Sequence, residues 1–158
     1  MEGVDFNAKR ELDKNQVDRL FSCEFIKKGQ DVFITGSTGT DKSYLASAIG
    51  HQACVMGYKI YYANTAKLMY ILKMAKADGS HLRELSRIEK QDLLILDDFG
   101  IQAFDAGGRA LLMDIVEDMH GKHSTSITSQ VPVKNWYDVV GEQTVGDAIL
   151  DILVHQSV

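Results

Sequence analysis

Apolar positions along this chain switch repeatedly between helical spacing and short continuous runs, and the switches lay out its elements. Val4, Phe6 and Leu12 are scattered through a polar opening stretch; Val17, Leu20 and Phe21 then follow helical spacing. They predict a short amphipathic helix from about Lys14 to Cys23, closed by Lys27-Lys28-Gly29. Asp31 to Thr35 reads as a first strand, and Tyr44, Leu45, Ala48 and Ile49 form the stripe of a helix that continues to about Ala53 and stops at Gly57. Lys59 to Ala63, β-branched and aromatic, is a second strand. Asn64 or Thr65 caps a helix carrying Leu68, Ile71, Leu72 and Ala75, which Asp78-Gly79 breaks. Leu82, Leu85 and Ile88 give another amphipathic helix from about Ser80 to Lys90. Asp92 to Asp98 is an apolar run ending in paired acids, the pattern of a buried strand. Gly107-Gly108 opens into a helix with Ala110, Leu111, Ile115 and Val116, ending near Gly121. Ser124 to Thr128 is a fourth strand, Trp136 and Tyr137 begin a short helix after Pro132, and Asp147 to about His155 is the last helix. Strands and helices alternating at these lengths imply an α/β fold, a parallel sheet with helices on both faces. Any ligand then belongs at the carboxyl ends of the strands.

Composition narrows the class. With 158 residues, 45% hydrophobic and 25% charged, the chain is long enough for one domain over 1–158 with a sizeable core. Its 17 basic and 22 acidic side chains leave a net charge of −5, which argues against a strong sequence-independent grip on nucleic acid; contact with DNA would be local or supplied by an assembly. Arg83, Arg87 and Lys90 are read as solvating their helix, with a DNA-facing role as the alternative. There is no signal-like start and no run of eighteen apolar residues, so no membrane contact and a cytoplasmic location are expected. Cys23 and Cys54 are expected to be reduced thiols, Cys54 buried on a helix. His120 and His123 read as polar helix-end residues rather than metal ligands.

The candidate chemistry lies in two stretches. Gly36-Ser37-Thr38-Gly39-Thr40-Asp41-Lys42-Ser43 follows the first strand and enters a helix, as a phosphate-binding loop does, except that Asp41 stands where the pattern has glycine. Small residues let successive backbone N–H groups converge on phosphate oxygens at a helix N-terminus. Lys42 would then reach the β and γ phosphates, and the Ser43 hydroxyl would sit on Mg2+. The alternative is a generic turn before a helix. In the second stretch, Asp97 would hold the Mg2+ shell and Asp98 would orient or deprotonate the attacking water; taken alone, the two acids are also a common strand end. Thr128-Ser129-Gln130 would lie near a γ-phosphate, either capping the strand or sensing the nucleotide.

The stretches Phe33-Ile-Thr-Gly, Lys42-Ser-Tyr-Leu-Ala, Asp92-Leu-Leu-Ile-Leu-Asp-Asp-Phe-Gly, Thr128-Ser-Gln-Val-Pro-Val and Asp147-Ala-Ile-Leu-Asp together resemble the IstB-type transposition helper ATPases. These are AAA+ P-loop proteins related to the DnaC replicative helicase loaders. The resemblance implies an ATP-fuelled, self-associating protein that assembles on DNA with a transposase, or with a replicative helicase in the loader branch. It implies nucleotide binding by Gly36 to Ser43 and the adjoining Tyr44, and Mg2+ held by Ser43 and Asp97. It also implies action of Asp98 on water, aided by Lys42, and a sensor role for Ser129. Arg109 is the one arginine after Asp98, so a finger reaching a neighbouring subunit from this region would have to be Arg109.

The chain also departs from the family pattern. Asp41 replaces a glycine, Asp151-Ile152 stands for an Asp-Arg pair, and Met119 for a frequent arginine. Family members extend at both ends, including a strand beside the first one, so a core fragment with the strand Asp31 to Thr35 at an unprotected edge is expected. An aspartate about 5 Å from the phosphates adds roughly 3 kcal/mol of repulsion per unit charge at an effective dielectric of about 20. Lys42 and Mg2+ offset part of it, and a residual of about 1.4–3 kcal/mol weakens nucleotide binding roughly tenfold to a hundredfold. Weak turnover, or a nucleotide-impaired interaction module with the same fold, is the alternative this raises. A small-molecule kinase is disfavoured because too few arginines follow the loop.

Overall fold

The computed structural model describes residues 14–36 and 41–155. The opening stretch with Val4, Phe6 and Leu12, and the loop residues Ser37, Thr38, Gly39 and Thr40, lie outside the described residues. In chain order the elements are α1 (Lys14–Phe21), α2 (Glu24–Lys27), β1 (Val32–Thr35), α3 (Asp41–Val55), β2 (Ile60–Asn64), α4 (Thr65–Ala77) and α5 (His81–Glu89). There follow β3 (Leu93–Asp97), α6 (Ala106–Met119), β4 (Ser124–Ser129), a 3-10 turn (Val133–Asn135), α7 (Trp136–Val140) and α8 (Gln143–His155).

Among the described residues the strands form one sheet in the order β1-β4-β3-β2, every pairing parallel. Among the described residues β1 pairs with β4 alone and stands at one end of the sheet. Side-chain alternation on β3 divides the core. Leu93 and Ile95 pack with Leu45, Ile49 and Ala53 of α3 and with Leu20, Phe25 and Ile26 from α1 and α2. Leu94 and Leu96 face the opposite layer, where α4, α5, α6 and α8 contribute Leu68, Leu72, Ile88, Leu111, Ile115 and Leu150. Being buried on both faces is why β3 reads as an uninterrupted apolar run.

The central strand β4 is different: Ser124 to Ser129 are all buried, yet only Ile127 is apolar. Its polar groups are matched individually. The Ser124 hydroxyl donates to the Phe25 carbonyl at 3.0 Å, and the Thr125 N–H donates to Asp31 Oδ1 at 2.9 Å. Thr128 and Ser129 serve the site described below.

Several side chains sit elsewhere than their spacing suggested. The buried face of α3 is Leu45, Ala46, Ile49, Gly50 and Ala53, while Tyr44 is 60% exposed. Gly50 lets this helix come close, since a Cβ there would lie 3.0 Å from Ile95 Cδ1. Ile71 and Leu82 are exposed as well, and Met69 takes a core place on α4. The expectation of a buried Cys54 fails: it is exposed in the last turn of α3 together with Val55, and Ala53 alone of these three is buried. Cys23 is the buried thiol, in a left-handed backbone conformation at φ 61°, and burial pushes its pKa up. Met119 is a core residue at the end of α6, and Ile152 packs half-buried against the same cluster. The helix over Gln143–His155 starts four residues before the Asp147 expected for it.

Candidate functional site

The first turn of α3 and the carboxyl ends of β2, β3 and β4 converge on one carboxylate. Asp97 ends β3 and is buried. The Ser43 hydroxyl, from the first turn of α3, donates to Asp97 Oδ1 at 2.8 Å and lies 2.9 Å from Oδ2. Lys42 beside it is also buried. The helix therefore brings the hydroxyl of one motif onto the first acid of the other, fifty-four residues away. Hard oxygen donors in this arrangement, one carboxylate and one hydroxyl beside a phosphate-type loop, fit Mg2+, which is held by one or two carboxylates together with substrate phosphates.

Two further hydroxyls hold Asp97: that of Thr128, expected near a γ-phosphate, and that of Tyr62, which no motif flagged. Tyr62 on β2 donates to Oδ2 at 2.7 Å, and Thr128 on β4 donates to Oδ1. The Asp97 carbonyl accepts from Thr65 Oγ1 at 2.9 Å. Burial pushes the Tyr62 phenol pKa up, a hydrogen bond from Ser47 pulls it down, and the Asp97 carboxylate pushes it up again. The available signal was alternation: Tyr62 follows Ile60 by two residues, and Ile60 packs on the α3 side of the sheet.

Asp98 leaves the strand with φ 58°, a left-handed conformation that aspartate tolerates better than most residues. Its N–H donates to Thr128 Oγ1 at 3.0 Å, and its Oδ2 accepts from Asn64 Nδ2 at 3.2 Å. Thr128 thus touches both acids. Asn64 caps α4 as well, its Oδ1 accepting the Lys67 N–H at 3.1 Å. Asp98 borders an open cavity of about 240 Å³ with Met69, Tyr70, Lys73 and Phe104; Lys42, Ser43 and Asp97 do not line it.

Of the loop, Gly36 is described: its N–H donates to the Ser129 carbonyl at 3.2 Å, extending the β1–β4 ladder by one bond. Asp41 is exposed in the first turn of α3, where a negative charge interacts favourably with the helix dipole. Tyr44, expected to touch nucleotide, faces solvent.

Two expected site residues are committed elsewhere. Ser129 is fully buried; its hydroxyl donates to the Phe99 carbonyl at 2.5 Å and accepts the Val131 N–H at 3.0 Å. It ties the end of β4 to the turn after β3, and Thr128 is the neighbour that meets the acids. Replacing Ser129 by alanine takes the hydroxyl partner from one buried carbonyl and one half-buried N–H and is expected to lower stability by about 1–3 kcal/mol, measured by urea unfolding. Arg109 is engaged within the chain. Its Nη1 donates to the carbonyls of Phe104 at 3.1 Å and Val140 at 3.2 Å, clamping the start of α6 to the end of α7. Gly141, at φ 104°, makes room for it: a Cβ there would lie 2.6 Å from that nitrogen.

Comparison with known proteins agrees with this geometry. The family described as IstB-like ATP binding protein matches residues 1–158. A Sinorhizobium fredii protein named as the insertion sequence ATP-binding protein y4uH is 39% identical over 150 residues, covering 95% of this chain and 60% of the relative. The protein named for insertion sequence IS1162 in Pseudomonas fluorescens is 39% identical over 132 residues, covering 84% and 57%. The chain thus spans about three fifths of the length of these relatives. Among solved structures, the DnaC helicase loader superposes with a TM-score of 0.79 at 20% identity, covering 91% of this chain and 84% of the other. The replication initiator DnaA bound to AMPPCP and single-stranded DNA gives 0.75 at 19%, covering 88% and 43%. At these identities the likeness is one of fold.

Proposed function

From the premise that the chain belongs to the IstB-like ATP-binding family, we propose that it binds Mg2+-ATP where α3 meets the ends of β3 and β4, and that it assists DNA transposition. The observation that carries the reading is the Ser43 hydroxyl on the Asp97 carboxylate at 2.8 Å. In this reading the loop that follows Gly36, up to Asp41, offers backbone N–H groups to the phosphates and Lys42 neutralises the β and γ oxygens. Ser43 and Asp97 hold the cation, which supplies charge neutralisation along the triphosphate. Asp98, its carboxylate held by Asn64 and its backbone N–H by the Thr128 hydroxyl, orients or deprotonates the water. Thr128 rather than Ser129 links the nucleotide state to both acids, because its hydroxyl is the one that reaches them.

The names of the relatives support an insertion-sequence role, with a transposase as partner. With a net charge of −5, DNA is engaged by an assembly of copies rather than by a single chain. A helicase-loader role has the fold likeness alone behind it. The reading of a nucleotide-impaired interaction module has one specific support, Asp41, whose charge at the start of α3 favours the helix and opposes a phosphate at the same place.

Titration with a fluorescent ATP analogue separates these readings. Asp41→Gly is expected to bind at least about tenfold more tightly than the wild type. Its stability should fall by about 0.3–1 kcal/mol as the favourable dipole interaction is lost. Equal affinities in the two titrations remove Asp41 from the account; no binding by either protein leaves the interaction module.

A further inference from the structure

We propose that Tyr62 is a positioning residue for the divalent cation, its phenol fixing the plane of the Asp97 carboxylate that the metal's ligand shell meets. This rests on the Mg2+-nucleotide reading above. The terminal torsion of an aspartate has broad minima, so a carboxylate at a strand end keeps one orientation only where donors hold it. Asp97 has such a donor on each oxygen from a neighbouring strand: Thr128 of β4 on Oδ1 and Tyr62 of β2 on Oδ2, at 2.7 Å for Tyr62.

Ser43, the third donor, spans both oxygens, and it belongs to the helix turn that follows the phosphate loop. Once its oxygen turns a lone pair to the cation, Tyr62 and Thr128 continue to hold the carboxylate from opposite sides. The phenol reaches the carboxylate itself at 2.7 Å across the β2–β3 pair.

A tyrosine kept only for packing would look different. Tyr62 is 44% exposed, so its ring adds little to the core, and its hydroxyl is the part with a defined partner. Tyr61, next to it, packs partly buried against the cluster on the other face of the sheet.

The test measures affinity for a fluorescent ATP analogue as MgCl2 is raised, and again in EDTA, for wild type, Tyr62→Phe and Tyr61→Phe. Loss of a group that orients a metal ligand typically costs about ten- to a hundredfold in metal affinity. Tyr62→Phe should raise the Mg2+ concentration at half effect by about tenfold, leaving affinity in EDTA within about twofold of wild type; Tyr61→Phe should shift neither. Thermal melts confirm that each variant is folded, and the exposure of Tyr62 makes the phenylalanine replacement mild. An unshifted Mg2+ midpoint in Tyr62→Phe, an equal shift in both variants, or an equal loss with and without Mg2+ overturns the assignment while leaving nucleotide binding intact. Absence of any Mg2+ effect on the wild type overturns the underlying reading, and the proposal with it.

Discussion

Trp136→Ala is expected to lower the unfolding free energy by about 3–5 kcal/mol, the range for emptying a buried aromatic site. Trp136 is fully buried in α7. Its ring meets Phe33 of β1 edge-on at a centroid distance of 4.9 Å, and Phe99, next to the two acids, at 4.8 Å. Its indole N–H donates to the Val131 carbonyl at 2.8 Å. The substitution therefore removes apolar contact, two aromatic pairings and one buried hydrogen bond together. For a domain of this size each kcal/mol moves the melting temperature by about 2–4 °C, so a drop of roughly 6–20 °C is expected in a thermal melt. Phe99 follows Asp98 directly, and its N–H donates to the Thr128 carbonyl at 2.8 Å. Loosening the ring beneath it should for that reason also weaken nucleotide binding. A change under about 1 kcal/mol would mean that the aromatic cluster is not what supports the acids.

The architecture was legible because strand and helix periods alternate cleanly here. The contact between the phosphate-loop helix and the acidic strand followed from motif order alone. What escaped was set by neighbours distant in sequence. The hydroxyls of Tyr62 and Thr128 have meaning only once register puts β2 and β4 on either side of β3, with Ala63 opposite Leu96 and Ile127 opposite the same leucine. A strand written Ser-Thr-Ser-Ile-Thr-Ser did carry a hint, since buried hydroxyls need partners and β4 could only be central if it had them.

The intrachain contacts of Arg109 were hidden for a related reason. Its acceptors are two carbonyls, five and thirty-one residues away in sequence, and Gly141 leaves the space to reach them. Cys54 lies in an apolar stretch of α3, yet of the last residues of that helix Ala53 is buried and Cys54 and Val55 are not. Spacing gives the face of a helix and not the point along it where packing ends.

The nucleotide account stands on Asp97, and Asp97→Asn is the variant that tests it most directly. Asparagine keeps the shape and one carbonyl oxygen for the surrounding hydroxyls, but it removes the charge that a hard cation requires. The side chain is buried, so removing its charge should not lower the melting temperature by more than a few degrees. Affinity for a fluorescent ATP analogue is to be compared with and without Mg2+ in the two proteins. The account predicts that Mg2+ tightens binding by the wild type and that this enhancement falls about ten- to a hundredfold in Asp97→Asn. The same Mg2+ enhancement in both proteins would contradict it.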